Sequence, residues 1–277
     1  MLNSLAESTL AKIVAIGSAF VSVFLITNPV TDPVNATKLF ALGIVSTSAF
    51  AVTLFHSGKA GIVSHRVPYF LSALFIFASI NSVINSRSPL TQNLYGDYGR
   101  NTGFIAYLML TLVFLASINL KQVKSLSLVV RGLLIAGALN VIYCGWALLF
   151  GDFLGWDNPY GEILGTFGNP NFIGAFLGIF VAASFATVFT TKLSKLVRFS
   201  LAFLILLAGI EIQRSKAVQG VVVALGGVAI VGFYLIKSKY KSWKLTSAYS
   251  FLVLIVGLVS VLGTLQIGPL KEIVYKV

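Results

Sequence analysis

Residues 165–189 read GTFGNPNFIGAFLGIFVAASFATVF, a cluster of turn-forming residues that opens directly into an apolar run. The run is long enough to cross a bilayer core as a helix. Its mouth is built for a helix start. The Asn169 side-chain oxygen can cap the first turn. Pro170 fits the first helical position, where its missing N–H is no loss. Gly165, Gly168 and Gly174 let backbone approach a neighbour or a ligand closely. The positive end of the helix then faces one membrane surface, where anions bind readily. An ordinary loop-to-helix junction uses the same residues, so two readings of this mouth stand side by side. In the ligand-binding one, Gly168, Asn169, Pro170 and Asn171 are the contact residues.

The surrounding sequence repeats the theme. A hydrophobic fraction of 57% with only 10% charged residues excludes a soluble globule and points to an integral membrane protein. Apolar runs at 10–27, 39–55, 67–84, 103–118, 128–150, 170–190, 197–212, 217–236 and 246–265 predict an all-α, polytopic transmembrane bundle of about nine spans. The fourth and seventh are short enough to be tilted, broken or extended into their loops. Sustained apolar runs exclude a β-barrel, whose strands alternate in short segments. The first run lacks the basic flank and small-residue site of a cleaved signal peptide, so it is read as a structural helix. No repeat or linker divides residues 1–277, which are read as a single transmembrane domain.

Charge predicts the orientation. Loops after the even-numbered runs hold eleven basic residues, from Lys59 to Lys244, and no acid. Loops after the odd-numbered runs hold seven basic residues and seven acids. The first set is therefore expected inside the cell, with the amino terminus inside and the carboxyl terminus outside. The net charge of +12 is a topology signal. Its basic residues are dispersed over short loops that touch anionic lipid, and nucleic-acid binding is not expected.

Three clusters fall on the predicted outer side. YGDYGRNTG (95–103) places Arg100 beside a glycine, just before the fourth run. A guanidinium there can grip a phosphate with two parallel hydrogen bonds, or it can anchor a helix end at the interface. The loop 151–168 carries Asp152, Trp156, Asp157, Tyr160 and Glu162, a set suited to sugar contacts or to plain solvation. EIQRSKAVQG (211–220) carries Glu211, Arg214 and Lys216, which can hold a pyrophosphate or neutralise one another. Together these positions fit an anion such as a lipid-linked pyrophosphate in the outer leaflet.

GTFGNPNFIG, preceded by YGRNTG and followed by the Ser215-Lys216 turn, resembles the O-antigen ligase and polymerase superfamily of bacterial inner-membrane enzymes. The resemblance runs from about Gly96 to the end of the chain, and Asn169, Pro170 and Asn171 are its most specific part. It implies transfer of an oligosaccharide or polysaccharide from a polyprenyl pyrophosphate donor to an acceptor hydroxyl on a glycan, a lipid or a protein. Arg100, Arg214 and Lys216 are then the catalytic cations, with no cofactor and no metal. Lys216 departs from the family's usual Ser-Arg turn: it keeps charge but loses the planar fork. The family's further outer loop, with its Arg and His, has no counterpart in the sequence. The only histidines, His56 and His65, fall in a predicted cytoplasmic loop. The chain is therefore expected to be the N-terminal portion of a longer architecture, or to need a second polypeptide.

Two rival readings remain at this level: a lipid or solute transporter or flippase, and a non-catalytic membrane subunit. Coupled transporters bury ionisable groups near the midplane. The expected in-span charges are Lys12 and Arg131 alone, each near a span end, which weighs against transport. Cys144 stands alone in the fifth run and reads as a small core residue.

Overall fold

The computed structural model describes residues 4–26, 32–155, 158 and 161–264. These residues form helices and turns, with no strand among them. Ten α-helices follow in order: α1 (Ser4–Val23), α2 (Asn35–Ser64), α3 (Arg66–Asn85), the short α4 (Leu90–Tyr95), α5 (Phe104–Ser117), α6 (Val123–Phe150), α7 (Pro170–Thr190), α8 (Lys195–Arg214), α9 (Val218–Tyr240) and α10 (Trp243–Thr264). A single 3-10 turn, Gly165–Phe167, precedes α7.

Seven of these helices are long and apolar enough to cross a membrane. The protein is therefore a multi-pass helical membrane bundle. The two remaining long runs give α5 and α10, whose apolar stretches of fully described residues, Phe104–Ser117 and Trp243–Leu258, are shorter. α5 has 14 residues, a rise of roughly 21 Å, less than the hydrocarbon thickness. The seventh run, by contrast, is extended into its loop, and α8 reaches 20 residues.

Large side chains on α3 and α9 point outward, among them Phe70, Phe77, Val222 and Ile230. In a bilayer these faces meet acyl chains. Burial is concentrated elsewhere, in two clusters that share helix α6. One gathers Leu10, Val14, Ala49 and Ala116 between α1, α2 and α5. The other gathers Val141, Ile173, Leu177, Phe180 and Ile212 between α6, α7 and α8. Small residues let α7 and α9 meet closely. A methyl at Gly178 would lie 2.7 Å from the Gly220 carbonyl oxygen, and one at Gly220 would lie 2.7 Å from that of Gly174. Close approach of this kind is how helices gain packing energy in lipid, where the hydrophobic effect between them is absent.

Buried polar groups join the helices at both ends. At one end Glu7 on α1 accepts from the backbone N–H groups of Lys121 (2.8 Å) and Gln122 (2.6 Å). These are donors at the start of α6, so the carboxylate caps that helix and faces its positive pole. His65 joins α2 to α3, and burial, followed by the charge of Lys121, pushes its imidazole below the usual histidine range.

At the other end Lys38 of α2 donates to the carbonyls of Val21 (2.8 Å) and Ser22 (2.7 Å). Those carbonyls end α1 and have no partner within it. The same ammonium lies 5.0 Å from the Phe167 ring centre. The Thr166 hydroxyl lies 2.7 Å from both the Ser22 carbonyl and the Asn140 Oδ1, so its one proton serves either. Its backbone N–H donates to the same Asn140 oxygen at 3.1 Å.

Two expectations need correction. Glu7, Lys38 and Glu211 lie within helices long enough to span, so Lys12 and Arg131 are not alone there. α2 continues to Ser64, which makes His56 helical and not part of a loop.

The junction at Lys38 and Thr166 should be costly to break. Lys38→Met leaves the half-buried Val21 carbonyl without its donor and the Ser22 carbonyl with Thr166 alone, and Thr166→Val removes the hydroxyl that joins Ser22 to the buried Asn140. Each is expected to lower unfolding free energy by about 1–3 kcal/mol. Thermal unfolding in detergent measures this, and wild-type stability in both variants would contradict it.

Candidate functional site

The turn Gly165–Phe167 is fixed by the bonds just described, and it aims the start of α7. Asn169 has extended backbone, and its side-chain oxygen accepts the Asn171 N–H at 2.9 Å. Pro170 follows at the first helical position and is buried. The mouth is thus a capped helix start. Gly168 has a φ of +63° and packs on Val34, where a methyl would lie 2.7 Å from Val34 Cγ2. Asn171 is exposed at this end of the bundle.

The Ser215-Lys216 turn packs against the same helix. A methyl on Gly174 would lie 2.9 Å from the Ser215 Oγ. Ser215 is buried, donates to the Ile212 carbonyl at 2.8 Å and accepts from the Ala217 N–H at 3.3 Å. It is the residue that closes α8 into α9. Lys216 follows with a φ of +52°, in the left-handed region, which turns its side chain out. Its ammonium lies 2.6 Å from the Glu162 carboxylate, and 78% of the side chain is exposed.

Arg214, Glu162 and Asp152 line one cavity of about 280 Å³, together with Tyr143, Asn158 and Gly165. Two of the three sequence clusters therefore meet in space. The Tyr143 hydroxyl donates to the Asp152 carboxylate at 2.8 Å, and the Asn158 amide donates to the Glu162 carbonyl at 2.8 Å. The cavity holds an acidic side and a cationic side, with aromatic rings at its edge: Phe153 stands edge-on to Tyr143 at 5.2 Å. Trp156, Asp157 and Tyr160 of the same loop lie outside the described residues.

Arg100 does not line this cavity. It is exposed in the loop between α4 and α5. That loop is tied to the site indirectly. Asn35 at the start of α2 donates to the Gly99 carbonyl at 2.7 Å, and its neighbour Val34 packs on Gly168. Among the described residues, the loops after the first, third, fifth and seventh runs thus share one end of the bundle. Contacts of Glu7 with Lys121 and Gln122 put the amino-terminal end of α1 at the opposite end.

Glu211 occupies a different setting from its neighbours. It is 1% exposed, and among the described residues neither carboxyl oxygen has a hydrogen-bond partner. A methyl on Gly145 of α6 would lie 3.4 Å from its Oε1. The sequence placed Glu211 at the membrane surface with Arg214 and Lys216, but the helix carries it inward. A spacing of three residues puts Arg214 almost one turn further out on α8. Among the described residues no cluster of His, Cys, Asp and Glu has a metal-binding arrangement.

No protein-family model matches the chain, and neither a curated protein nor a solved structure matches it significantly.

Packing and charge can be separated experimentally. Gly178→Val and Gly220→Val force α7 and α9 apart and should cost about 1–3 kcal/mol. Lys216→Ala removes one exposed ion pair and should cost at most about 1 kcal/mol. Unfolding curves in detergent compare the three, and a Lys216→Ala loss as large as the glycine variants would show that Lys216 is structural.

Proposed function

We propose that this protein is a glycan ligase or polymerase-like transferase of the bacterial inner membrane. It moves an oligosaccharide or polysaccharide from a polyprenyl pyrophosphate donor to an acceptor hydroxyl at the outer face. The observation that carries this reading is the convergence of Arg214, the Lys216–Glu162 pair and the Asn169-capped start of α7 at one end of the bundle. Nine spans, with the amino terminus inside, bring that end to the outer surface.

The chemistry needs three things from the chain. The pyrophosphate must be held, and Arg214 and Lys216 supply cations beside a helix start, with Arg100 on the adjoining loop. The acceptor oxygen attacks the anomeric carbon as the bond from that carbon to the pyrophosphate oxygen breaks. The leaving pyrophosphate keeps the electron pair, and the cations stabilise its growing charge. The acceptor proton passes to a carboxylate of the cavity, where Asp152 and Glu162 are available. No cofactor or metal enters this scheme.

A second reading, a lipid or solute transporter, is favoured by Glu211. A buried carboxyl without a donor inside a membrane bundle is a common feature of coupled carriers.

One experiment divides them. The purified chain in nanodiscs is given an undecaprenyl pyrophosphate oligosaccharide and an acceptor glycan, and products are read by mass spectrometry. Transfer is expected, with Arg214→Ala lowering kcat/KM by roughly 100- to 1,000-fold. Arg100→Ala and Lys216→Ala should each weaken donor use. Equal turnover in all three variants contradicts the proposed pyrophosphate site. Absence of transfer, with substrate uptake into vesicles that Glu211→Gln abolishes, establishes the transporter instead.

A further inference from the structure

A second cavity lies at the end of the bundle that carries Arg100. It has a volume of about 510 Å³ and is bounded by α3, α4, the loop 96–103 and α5. That is within the range of small-molecule sites, roughly 300–1,000 Å³. On α3 its wall is Phe75, Ser79 and Ser82, which recur at helical spacing on one face. Gln92 and Asn93 come from α4, Asp97 from the loop and Tyr107 from α5. Phe75 and Tyr107 meet edge to face at 5.9 Å, which sets an aromatic wall beside the polar groups.

The lining has a definite chemical character. Hydroxyls, amides and a carboxylate give both donors and acceptors, which is what neighbouring sugar hydroxyls require. No Lys or Arg lines the cavity. Asp97 repels phosphate, and the density of polar groups is wrong for an acyl chain. Local bonds hold these groups in place: Gln92 donates to the Asp97 carboxylate, and Asn93 donates to the Ser88 carbonyl at 3.1 Å. The loop itself is closed by Gly96, at a φ of +87°, whose Cβ would fall 2.5 Å from the Thr102 nitrogen. One loop thus directs Asp97 and Thr102 into the cavity, while Arg100 stays exposed outside it.

We propose that this cleft between α3 and α5 is a subsite for the neutral sugar units of a glycan, beside the cation at Arg100. The proposal rests on the transferase reading for its place in a reaction, and on the lining alone for its ligand. A sugar unit held here has its phosphate end directed to the loop that carries Arg100. Binding comes from hydrogen bonds to Gln92, Asn93 and Asp97 and from ring contact with Tyr107. It does not depend on salt, because no phosphate is involved.

The test uses the full chain in nanodiscs and a panel of neutral tetrasaccharides built from glucose, galactose, rhamnose and N-acetylglucosamine. Saturation-transfer NMR reads binding. At least one tetrasaccharide is expected to bind. The double variant Gln92→Ala/Asn93→Ala, at an exposed and a half-buried position, should weaken it by roughly tenfold, as the loss of two hydrogen bonds implies. Ser82→Trp, which fills the cleft, should abolish it. Arg214→Ala and added inorganic pyrophosphate should leave it unchanged. No binding by any tetrasaccharide, or binding unchanged in the double alanine variant, overturns the proposal, as does equal loss in Arg214→Ala. Binding that follows this pattern in a chain with no transfer activity removes the transferase reading and leaves the subsite standing.

Discussion

The last carbonyls of a helix have no partner within it, and α1 ends with that problem among half-buried residues. Lys38 answers it by reaching from α2 to the carbonyls of Val21 and Ser22. Thr166 lies against the Ser22 carbonyl and against Asn140 on α6. Four segments of chain, distant in sequence, are held by these few bonds. The turn Gly165–Phe167 is one of them, so the direction of α7 is set by the end of α1. The capped start of α7, the Ser215 turn packed on Gly174, and the Arg214 cavity all inherit their positions from that junction.

Local signals in the sequence were sufficient where the cause was local. Apolar runs marked the seven helices long enough to span and the two shorter apolar ones among the described residues, because a helix satisfies the backbone of such a run in lipid. The Asn169 cap and Pro170 were legible because a helix start is specified by residues next to one another. α5 came out shorter than a full span, and α8 longer than its apolar run, because α8 continues into polar residues at both ends. What could not be read was pairing over long separations. Glu7 bonds to residues 121 and 122, and Asn140 to Thr166, and nothing adjacent to either residue announces it. A polar residue inside an apolar run was the available clue for Asn140. Glu211 was misread for a related reason: Arg214 and Lys216 are exposed, but its own face of α8 turns toward Gly145.

The candidate site was half legible. Arg214, Lys216 and the acidic loop were expected on one side, and they share a cavity and an ion pair. Arg100 was expected with them and stands apart, tied through Asn35 and Val34. Under the proposed transfer, that separation has a chemical use. A lipid-linked glycan is a chain of neutral sugars ending in a doubly phosphorylated lipid, so its binding surface must change character along its length. The cleft beside α3 offers hydroxyls, amides, the Asp97 carboxylate and aromatic edges, and the Arg214 cavity offers a guanidinium opposed by carboxylates.

All of this chemistry requires that positions 100 and 216 face the outside of the cell. Single cysteines at those positions, in a Cys144→Ala background, can be labelled in intact cells with a membrane-impermeant maleimide. The account predicts that both label without permeabilisation, while a cysteine at position 121 labels only after it. Labelling of 100 or 216 only after permeabilisation would place the cationic rim on the inner surface and contradict the proposed transfer.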